Sequence, residues 1–284
     1  MGAESAAKSS GIIRIYFQAT MSDTRDRIAG ILIGIAAGDR NGGPIQMAIR
    51  IAESLVAKNG LDLVDISDRY LAWWLDGAFD TGPVTEKVLE LVHLGLPFEE
   101  ASHAVHEELG GLTAGCNAAH RVAPLAMCVE LTDEALATAA LQEAALTHTH
   151  PLAGDVSAAI VLLCRFLALG SPWQDAVNEA AVGRMDETKL ALAGALESEL
   201  DRGGFAPDAF AAAAYFVGNA TSFGEALTRS MAFAGHANYC PVLVGAIAGA
   251  RWGRNAISGE LLEHVDGHTL QRVVEASGLL SGGW

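Results

Sequence analysis

The sequence has few basic residues, few aromatic residues and few cysteines. It contains 18 Lys and Arg against 34 Asp and Glu, so its formal net charge is −16. A surface of this sign repels phosphate backbones, which excludes nucleic-acid binding through a basic patch. Aromatic residues make up only 6% of the chain and hydrophobic residues 51%. Ala, Leu, Val and Ile must therefore form most of a large core.

The four cysteines, Cys116, Cys128, Cys164 and Cys240, form neither a C-x-x-C pair nor a zinc-type spacing. Together with the acidic composition and the lack of a signal-peptide pattern, they predict a reduced, cytoplasmic protein. The longest uncharged run, residues 230–250, has the length of a membrane span. Its middle carries polar residues and a proline, which would be costly in lipid. We therefore predict a loop followed by a buried core helix, and no membrane partner.

Apolar residues recur with helical spacing along nearly the whole chain. Residues 45–56 show the pattern, and Gly60 predicts where that helix stops. No segment alternates with a period of two, as a half-buried strand would. Further helices are predicted at residues 66–75, 84–94, 99–109, 134–146, 153–169, 187–200, 208–217, 223–233 and 242–252. We predict one compact all-α domain over residues 21–284, and we interpret residues 1–20 as an added leader or a disordered N-terminus.

Four short segments interrupt the helical pattern, and they contain most of the polar residues that are candidates for a functional site. They are Gly38-Asp39-Arg40-Asn41-Gly42-Gly43-Pro44, Phe79-Asp80-Thr81-Gly82-Pro83, Thr147-His148-Thr149-His150-Pro151 and Gly235-His236-Ala237-Asn238-Tyr239-Cys240-Pro241. The glycines of the first segment allow a ligand to approach the backbone closely. Each segment also has a purely structural interpretation: a turn, a helix cap formed by Asp39, Asp80 or Thr81, or a surface or capping histidine.

Two cysteines stand where a helix is predicted to begin. Pro241 is expected to be the first helical residue, which puts Cys240 at a helix N-terminus with His236 close in sequence. The positive end of the helix dipole favours a thiolate there. Cys116 has a similar position, after Gly115. The alternative for both cysteines is a small, buried hydrophobic side chain.

Taken in order, these segments resemble the ADP-ribosylglycohydrolase family, which includes the dinitrogenase-reductase-activating glycohydrolase. The resemblance runs from about Arg27 to Gly253 and rests on the order and spacing of its pieces. These pieces are the helix at 27–39 that ends in Gly38-Asp39, then Gln46-Met47-Ala48, Asp80-x-Gly82, Arg121-Val122-Ala123-Pro124-Leu125, Leu146-Thr147-His148 and Ala246-Ile247-Ala248-Gly249-Ala250.

The resemblance implies an all-helical domain that hydrolyses an N- or O-glycosidic bond to ADP-ribose. It also implies two Mg²⁺ or Mn²⁺ ions, held by a Thr-Asp-Asp-Thr run before Gln-Met and an Asp-x-Asp-Thr run before the last core helix. At those places this sequence has Gly42-Gly43-Pro44-Ile45 and His236-Ala237-Asn238-Tyr239, and the family's Gly-Asn-Gly reads Gly115-Cys116-Asn117. Because hard divalent cations need carboxylate oxygens, we expect both metal motifs to be degenerate and no metal cofactor.

Two hypotheses for the function follow. The first is a diverged, metal-independent hydrolase that acts on an unidentified small-molecule or nucleotide-like substrate, with Cys240, His236, Asp80 and His148 as catalytic residues. The second is a non-catalytic protein that binds ADP-ribose or a related nucleotide. A third, conservative hypothesis keeps the family activity with unrecognised ligands, and it requires bound Mg²⁺ or Mn²⁺. The expected ligand-binding residues are Asp39, Asn41, Gly42, Gly43, Gly115, Cys116, Asn117, Asn238 and Tyr239. The Ala-rich helices could also provide a face for self-association, so a homo-oligomer is a further possibility.

Overall fold

The computed structural model describes residues 21–284, and the predicted leader, residues 1–20, lies outside the described residues. The described chain is helical, and its one β-type pairing is a bridge between Gly115 and Phe205. The predicted all-α class is confirmed. The α-helices of this part of the chain are α1 (Met21–Gly38), α2 (Gly43–Lys58), α3 (Leu63–Leu75), α4 (Pro83–His93), α5 (Phe98–Glu108), α6 (Asn117–Arg121), α7 (Asp133–Ala145), α8 (Pro151–Ala168), α9 (Trp173–Ala180), α10 (Asp186–Ala193), α11 (Ala206–Gly218), α12 (Phe223–Ala234), α13 (Tyr239–Trp252) and α14 (Gly267–Gly282).

Three helices, α1, α8 and α13, form the centre of the fold. Every residue of α1 from Ile28 to Gly38 is buried, and so is every residue of α13 from Cys240 to Ala250. Helix α8 is long and apolar enough to cross a bilayer, but 89% of that stretch is buried inside the fold. A helix that is apolar on all sides is expected in a protein interior. The other helices pack around this centre, with α2 and α14 against α1, and α11 and α12 against α13.

Helices α1 and α13 pack against each other in antiparallel directions through glycines. Gly30 faces Gly249, Gly34 faces Gly245, and Gly38 faces Pro241. A Cβ at Gly34 would lie 2.8 Å from the carbonyl carbon of Gly245 and closer still to its oxygen. The two backbones therefore touch along the whole contact. This packing sets the C-terminal end of α1 directly beside the N-terminal end of α13.

Two sequence predictions in the second half of the chain have different outcomes. The run at 230–250 contains a loop after Ala234 and then α13, as predicted. The helix predicted at 187–200 is wrong in its second half, because α10 ends at Ala193. Gly194 follows with a φ of 95°, a conformation that an L side chain rarely adopts and that breaks the helix.

Candidate functional site

A polar pocket of about 200 Å³ lies where the end of α1 meets the start of α13. The turns that precede α2 and α4, and the first turns of α6, complete its walls. The lining consists of Asn41, Pro44, Asp80, Asn117, His120, His236, Ala237, Asn238 and Tyr239. Residues from four separate segments thus meet at one place, and six of them were named from the sequence. Their role in binding or catalysis stays a prediction.

Asp39 contacts this pocket through Asn238, lines a neighbouring cavity of about 140 Å³, and is only 2% exposed. Its Oδ1 accepts hydrogen bonds from the backbone N–H groups of Asn41 (3.1 Å) and Gly42 (2.8 Å) and from Asn238 Nδ2 (2.7 Å). Its Oδ2 accepts from the N–H of Ile45 at 2.8 Å. The carboxylate therefore satisfies two N–H groups of the turn before α2 and one in the first turn of α2, which is the structural role that the sequence left open for it.

Asp80 lies in the pocket wall and has a left-handed backbone, with φ of 51°. Asn41 Nδ2 donates to its Oδ1 at 3.4 Å, and the N–H of Gly43 donates to the same carboxylate. Partial burial raises the pKa of Asp80, and the negative charge of Asp39 raises it further. Asp80 is thus a carboxyl group that is easier to protonate than an ordinary aspartate and that faces a small, polar space.

Asn238 and Arg40 connect the loop before α2 to the loop before α13. The N–H of Arg40 donates to Asn238 Oδ1 at 3.2 Å, while Asn238 Nδ2 donates to Asp39. The guanidinium of Arg40 donates to the carbonyl oxygen of Gly235 at 2.8 Å and to that of Ala237. Two loops that are about 200 residues apart in sequence are therefore held together by direct hydrogen bonds.

His120 also lines the pocket, and the sequence analysis missed it. Its Nε2 donates to the backbone oxygen of Tyr239 at 2.8 Å, and its ring stacks on that of Tyr239 at a centroid distance of 6.5 Å. Burial lowers the pKa of His120 to about 4, so the ring is neutral near pH 7. The available signal was its spacing, because His120 follows Asn117 by three positions and so shares its helical face.

The prediction of a reactive thiolate at Cys240 is not supported by its environment. Cys240 is 4% exposed, and its Sγ lies 3.9 Å from the backbone oxygen of Ser230. Burial raises the pKa of Cys240 to about 12, and that of Cys116 also to about 12. Desolvation outweighs the helix dipole at both sites. Tyr239, not Pro241, is the first residue of α13.

His148 lies outside the pocket lining, in a buried network behind it. Arg121 Nη2 donates to Thr147 Oγ1 at 2.9 Å, and Thr147 Oγ1 lies 2.8 Å from His148 Nδ1. Arg121 also forms a fully buried ion pair with Glu143, at 2.7 Å. Burial, followed by the charge of Arg121, lowers the pKa of His148 to about 3. His148 is therefore a neutral imidazole at physiological pH.

The predicted glycines lie at neighbouring surfaces. Gly115 lines a second cavity, of about 300 Å³, together with the exposed side chains of Leu112 and Phe205. Gly42, with φ of 95°, lines a third one of about 140 Å³. Gly43 packs against the backbone of Asp80, where a Cβ would lie 2.8 Å from the Asp80 carbonyl carbon.

The residues around the pocket do not fit a dinuclear metal centre. Within residues 21–284, no group of three or more His, Cys, Asp and Glu side chains is arranged to hold a metal ion. Of the two carboxylates near the pocket, Asp39 is buried and its oxygens already accept four hydrogen bonds. An octahedral Mg²⁺ or Mn²⁺ ion needs several free oxygen ligands. The donor set of this pocket therefore does not suit a pair of divalent metal ions.

Comparisons with known proteins agree with this architecture. The chain is similar to a solved structure described as an "ADP-ribosylglycohydrolase-related protein complex", with a TM-score of 0.74 and 23% identity. The similarity covers 91% of this chain and 98% of that one. A search of curated proteins finds no match to the sequence. The family model for ADP-ribosylglycohydrolase matches residues 44–283, which is most of the chain. The chain therefore belongs to the ADP-ribosylglycohydrolase family.

Proposed function

We propose that the chain binds the ribose of an ADP-ribose-like ligand in the polar pocket, without a divalent metal ion. The observation that carries this proposal is the set of three amides in the wall: Asn41, Asn117 and Asn238. An amide both donates and accepts hydrogen bonds, which suits the neighbouring hydroxyls of a sugar. A volume of about 200 Å³ is smaller than the usual site for a drug-sized ligand, so it suits one sugar and not a whole nucleotide.

The amides keep hydrogen-bonding capacity for such a ligand. Asn117 Nδ2 donates one N–H to the backbone oxygen of Thr81 at 3.1 Å, and Asn41 Nδ2 donates one to Asp80. Each Nδ2 has a second N–H. Gly82 supports this arrangement, because a Cβ there would lie 2.9 Å from Asn117 Cγ. The side chains that would bind the sugar are thus held in position by the protein before any ligand arrives, which lowers the entropic cost of binding.

A second candidate function is metal-independent hydrolysis, and the environment of Asp80 favours it. A carboxylate with a raised pKa is a stronger base than an ordinary aspartate, and it can take a proton from water that attacks the ribose. As water adds to the ribose C1, the glycosidic bond breaks, and His236, which is exposed in the same lining, would donate a proton to the departing group. Cys240 has no part in this proposal because its thiol is buried and protonated. His148 could act only as a neutral hydrogen-bond donor.

Calorimetric titration with ADP-ribose in EDTA tests the first proposal. We expect saturable binding with one site, weakened by Asn117→Ala and unchanged by Asn178→Ala, an exposed asparagine on α9 that serves as the matched control. Binding that requires Mn²⁺ would contradict the metal-independent pocket. No binding in either buffer would show that the ligand is not ADP-ribose-like.

Turnover separates the two candidates. The hydrolase predicts release of ADP-ribose from ADP-ribosylated peptides in EDTA, with Asp80→Asn retaining ligand affinity and losing turnover. If the wild type binds the ligand but turns it over no faster than Asp80→Asn does, the protein is a non-catalytic binding protein.

A further inference from the structure

We propose that Asn238 keeps this pocket free of divalent metal ions, because its amide N–H takes the place on Asp39 that a cation would need. The inference rests on the proposed function only in that both concern the same pocket. It assigns to Asn238 a positioning role: the residue acts through Asp39 and decides which chemistry the pocket can support.

The carboxylate of Asp39 already accepts four hydrogen bonds from the protein. A carboxylate offers about four lone-pair positions. On Asp39, Oδ1 accepts three N–H groups, from the backbone of Asn41 and Gly42 and from the side chain of Asn238, while Oδ2 accepts only that of Ile45. Oδ1, the oxygen that faces Asn238, therefore has no lone pair left for a cation. The backbone donors belong to the turn and to the first turn of α2. Asn238 is therefore the one of these four donors that a substitution can remove without changing the fold of the turn.

The orientation of the amide is fixed from its other end. Asn238 is 7% exposed, and its Oδ1 accepts the backbone N–H of Arg40 at 3.2 Å. Because only the amide oxygen of Asn238 can accept the N–H of Arg40, its Nδ2 group must face Asp39, at 2.7 Å. Asn238 cannot turn its oxygen toward the carboxylate to become a metal ligand.

Arg40 adds a positive charge where the loop after α1 meets the loop before α13. Its guanidinium donates to the backbone oxygens of Gly235 and Ala237, on either side of His236. These bonds hold the loop that precedes α13 against the loop that follows α1. Hydrogen bonds thus hold the two loops together, and the positive charge of Arg40 disfavours a cation nearby.

A single substitution should reverse this arrangement. Asn238→Asp replaces the N–H that faces Asp39 with a carboxylate oxygen. The new carboxylate would face Asp39, and Asp80 lines the same pocket. In EDTA the like charges repel, so the variant should melt several degrees below the wild type. Mn²⁺ should remove that repulsion and restore the melting temperature, because hard divalent cations bind such oxygen clusters.

The experiment titrates the full chain with Mn²⁺ alone, followed by electron paramagnetic resonance and by thermal melting in EDTA or Mn²⁺. For the wild type we expect no saturable binding up to roughly millimolar Mn²⁺. For Asn238→Asp we expect one saturable site, at least tenfold tighter than any binding by the wild type. The matched control is Asn117→Asp, the same chemical change in the same wall but facing the Thr81 carbonyl. It should lower the melting temperature without rescue by Mn²⁺.

Stoichiometric Mn²⁺ binding by the wild type would overturn the proposal, and so would a folded Asn238→Asp that gains no affinity. If that variant does not fold, Asn238→Ala decides. It removes one of the three N–H groups on Asp39 Oδ1 without adding a charge, so it should bind Mn²⁺ more tightly than the wild type, and equal affinity would refute the role of the amide. ADP-ribose is absent throughout, so failure of the proposed ligand leaves this result unaffected.

Discussion

The glycine contact between α1 and α13 makes a prediction that runs against helix propensity. Replacing an exposed glycine in a helix with alanine stabilises it by about 1 kcal/mol. Gly278 lies in the interior of α14, and a Cβ at this position would meet open space: among residues 21–284, no atom outside its own helix and chain neighbours would lie within 4 Å. Gly278→Ala should therefore raise the melting temperature by roughly 2–4 °C.

Gly34→Ala should do the opposite. Its Cβ would lie 2.8 Å from the Gly245 carbonyl carbon and 3.4 Å from the Gly249 Cα. These are backbone atoms of a buried helix, which cannot rotate away as a side chain can. Overpacking of a core costs about 1–3 kcal/mol, and backbone contact places this site at the upper end. After the propensity gain of about 1 kcal/mol, the net loss is about 2 kcal/mol.

The assay is urea and thermal unfolding of both variants, followed by circular dichroism at a helical wavelength. A net loss of about 2 kcal/mol lowers the melting temperature by roughly 4–8 °C. The shift should also move Asp39 relative to Asn238, so ligand binding in the pocket should weaken. The reasoning is refuted if Gly34→Ala and Gly278→Ala change stability in the same direction.

Three further predictions concern charges and thiols. Asp80→Asn removes a carboxylate whose pKa is raised in the fold. It should stabilise the protein near neutral pH, and pH-dependent melts should show this advantage shrinking as the pH falls through the raised pKa and disappearing below the ordinary aspartate pKa, where Asp80 is protonated in both the folded and the unfolded wild type. Arg121→Met leaves Glu143 as a buried, unpaired charge and should cost about 3–5 kcal/mol in urea unfolding, whereas a loss under 1 kcal/mol would contradict the pairing. Cys240→Ala should leave any turnover unchanged, and all four cysteines, which are buried, should resist alkylation until the protein is unfolded.

Local patterns in the sequence predict most of the helices but not the contacts between distant segments. Periodicity and turn residues locate the helices, because these signals depend on neighbours three or four positions away. The hydrogen bond from Asn238 to Asp39 joins residues 199 positions apart, and no local pattern encodes it. The pKa of Cys240 depends on burial by other helices, which the helix-dipole argument ignored. His120 was overlooked because its only sequence signal, the three-residue spacing from Asn117, is weak in so short a helix.

The four segments that broke the helical pattern were nevertheless informative. Three of them reach the pocket, because polar and glycine-rich turns lie at helix ends and the ends of α1 and α13 meet there. The segment with His148 lies behind the pocket instead, since Thr147 and Arg121 hold it in the buried network. The sequence could identify candidate residues, but it could not separate those that face a ligand from those that support the wall.

The contact between α1 and α13 also determines when this protein can finish folding. Helix α1 leaves the ribosome early, yet its partner is made about 200 residues later, a delay of roughly 10–40 s at 5–20 residues per second. During that time the face of α1 that packs on α13 has no native partner. Such a high contact order slows folding and exposes the nascent chain to aggregation. Chains truncated before α13 should therefore depend on chaperones, while the α13 glycines complete both the core and the pocket in one late step.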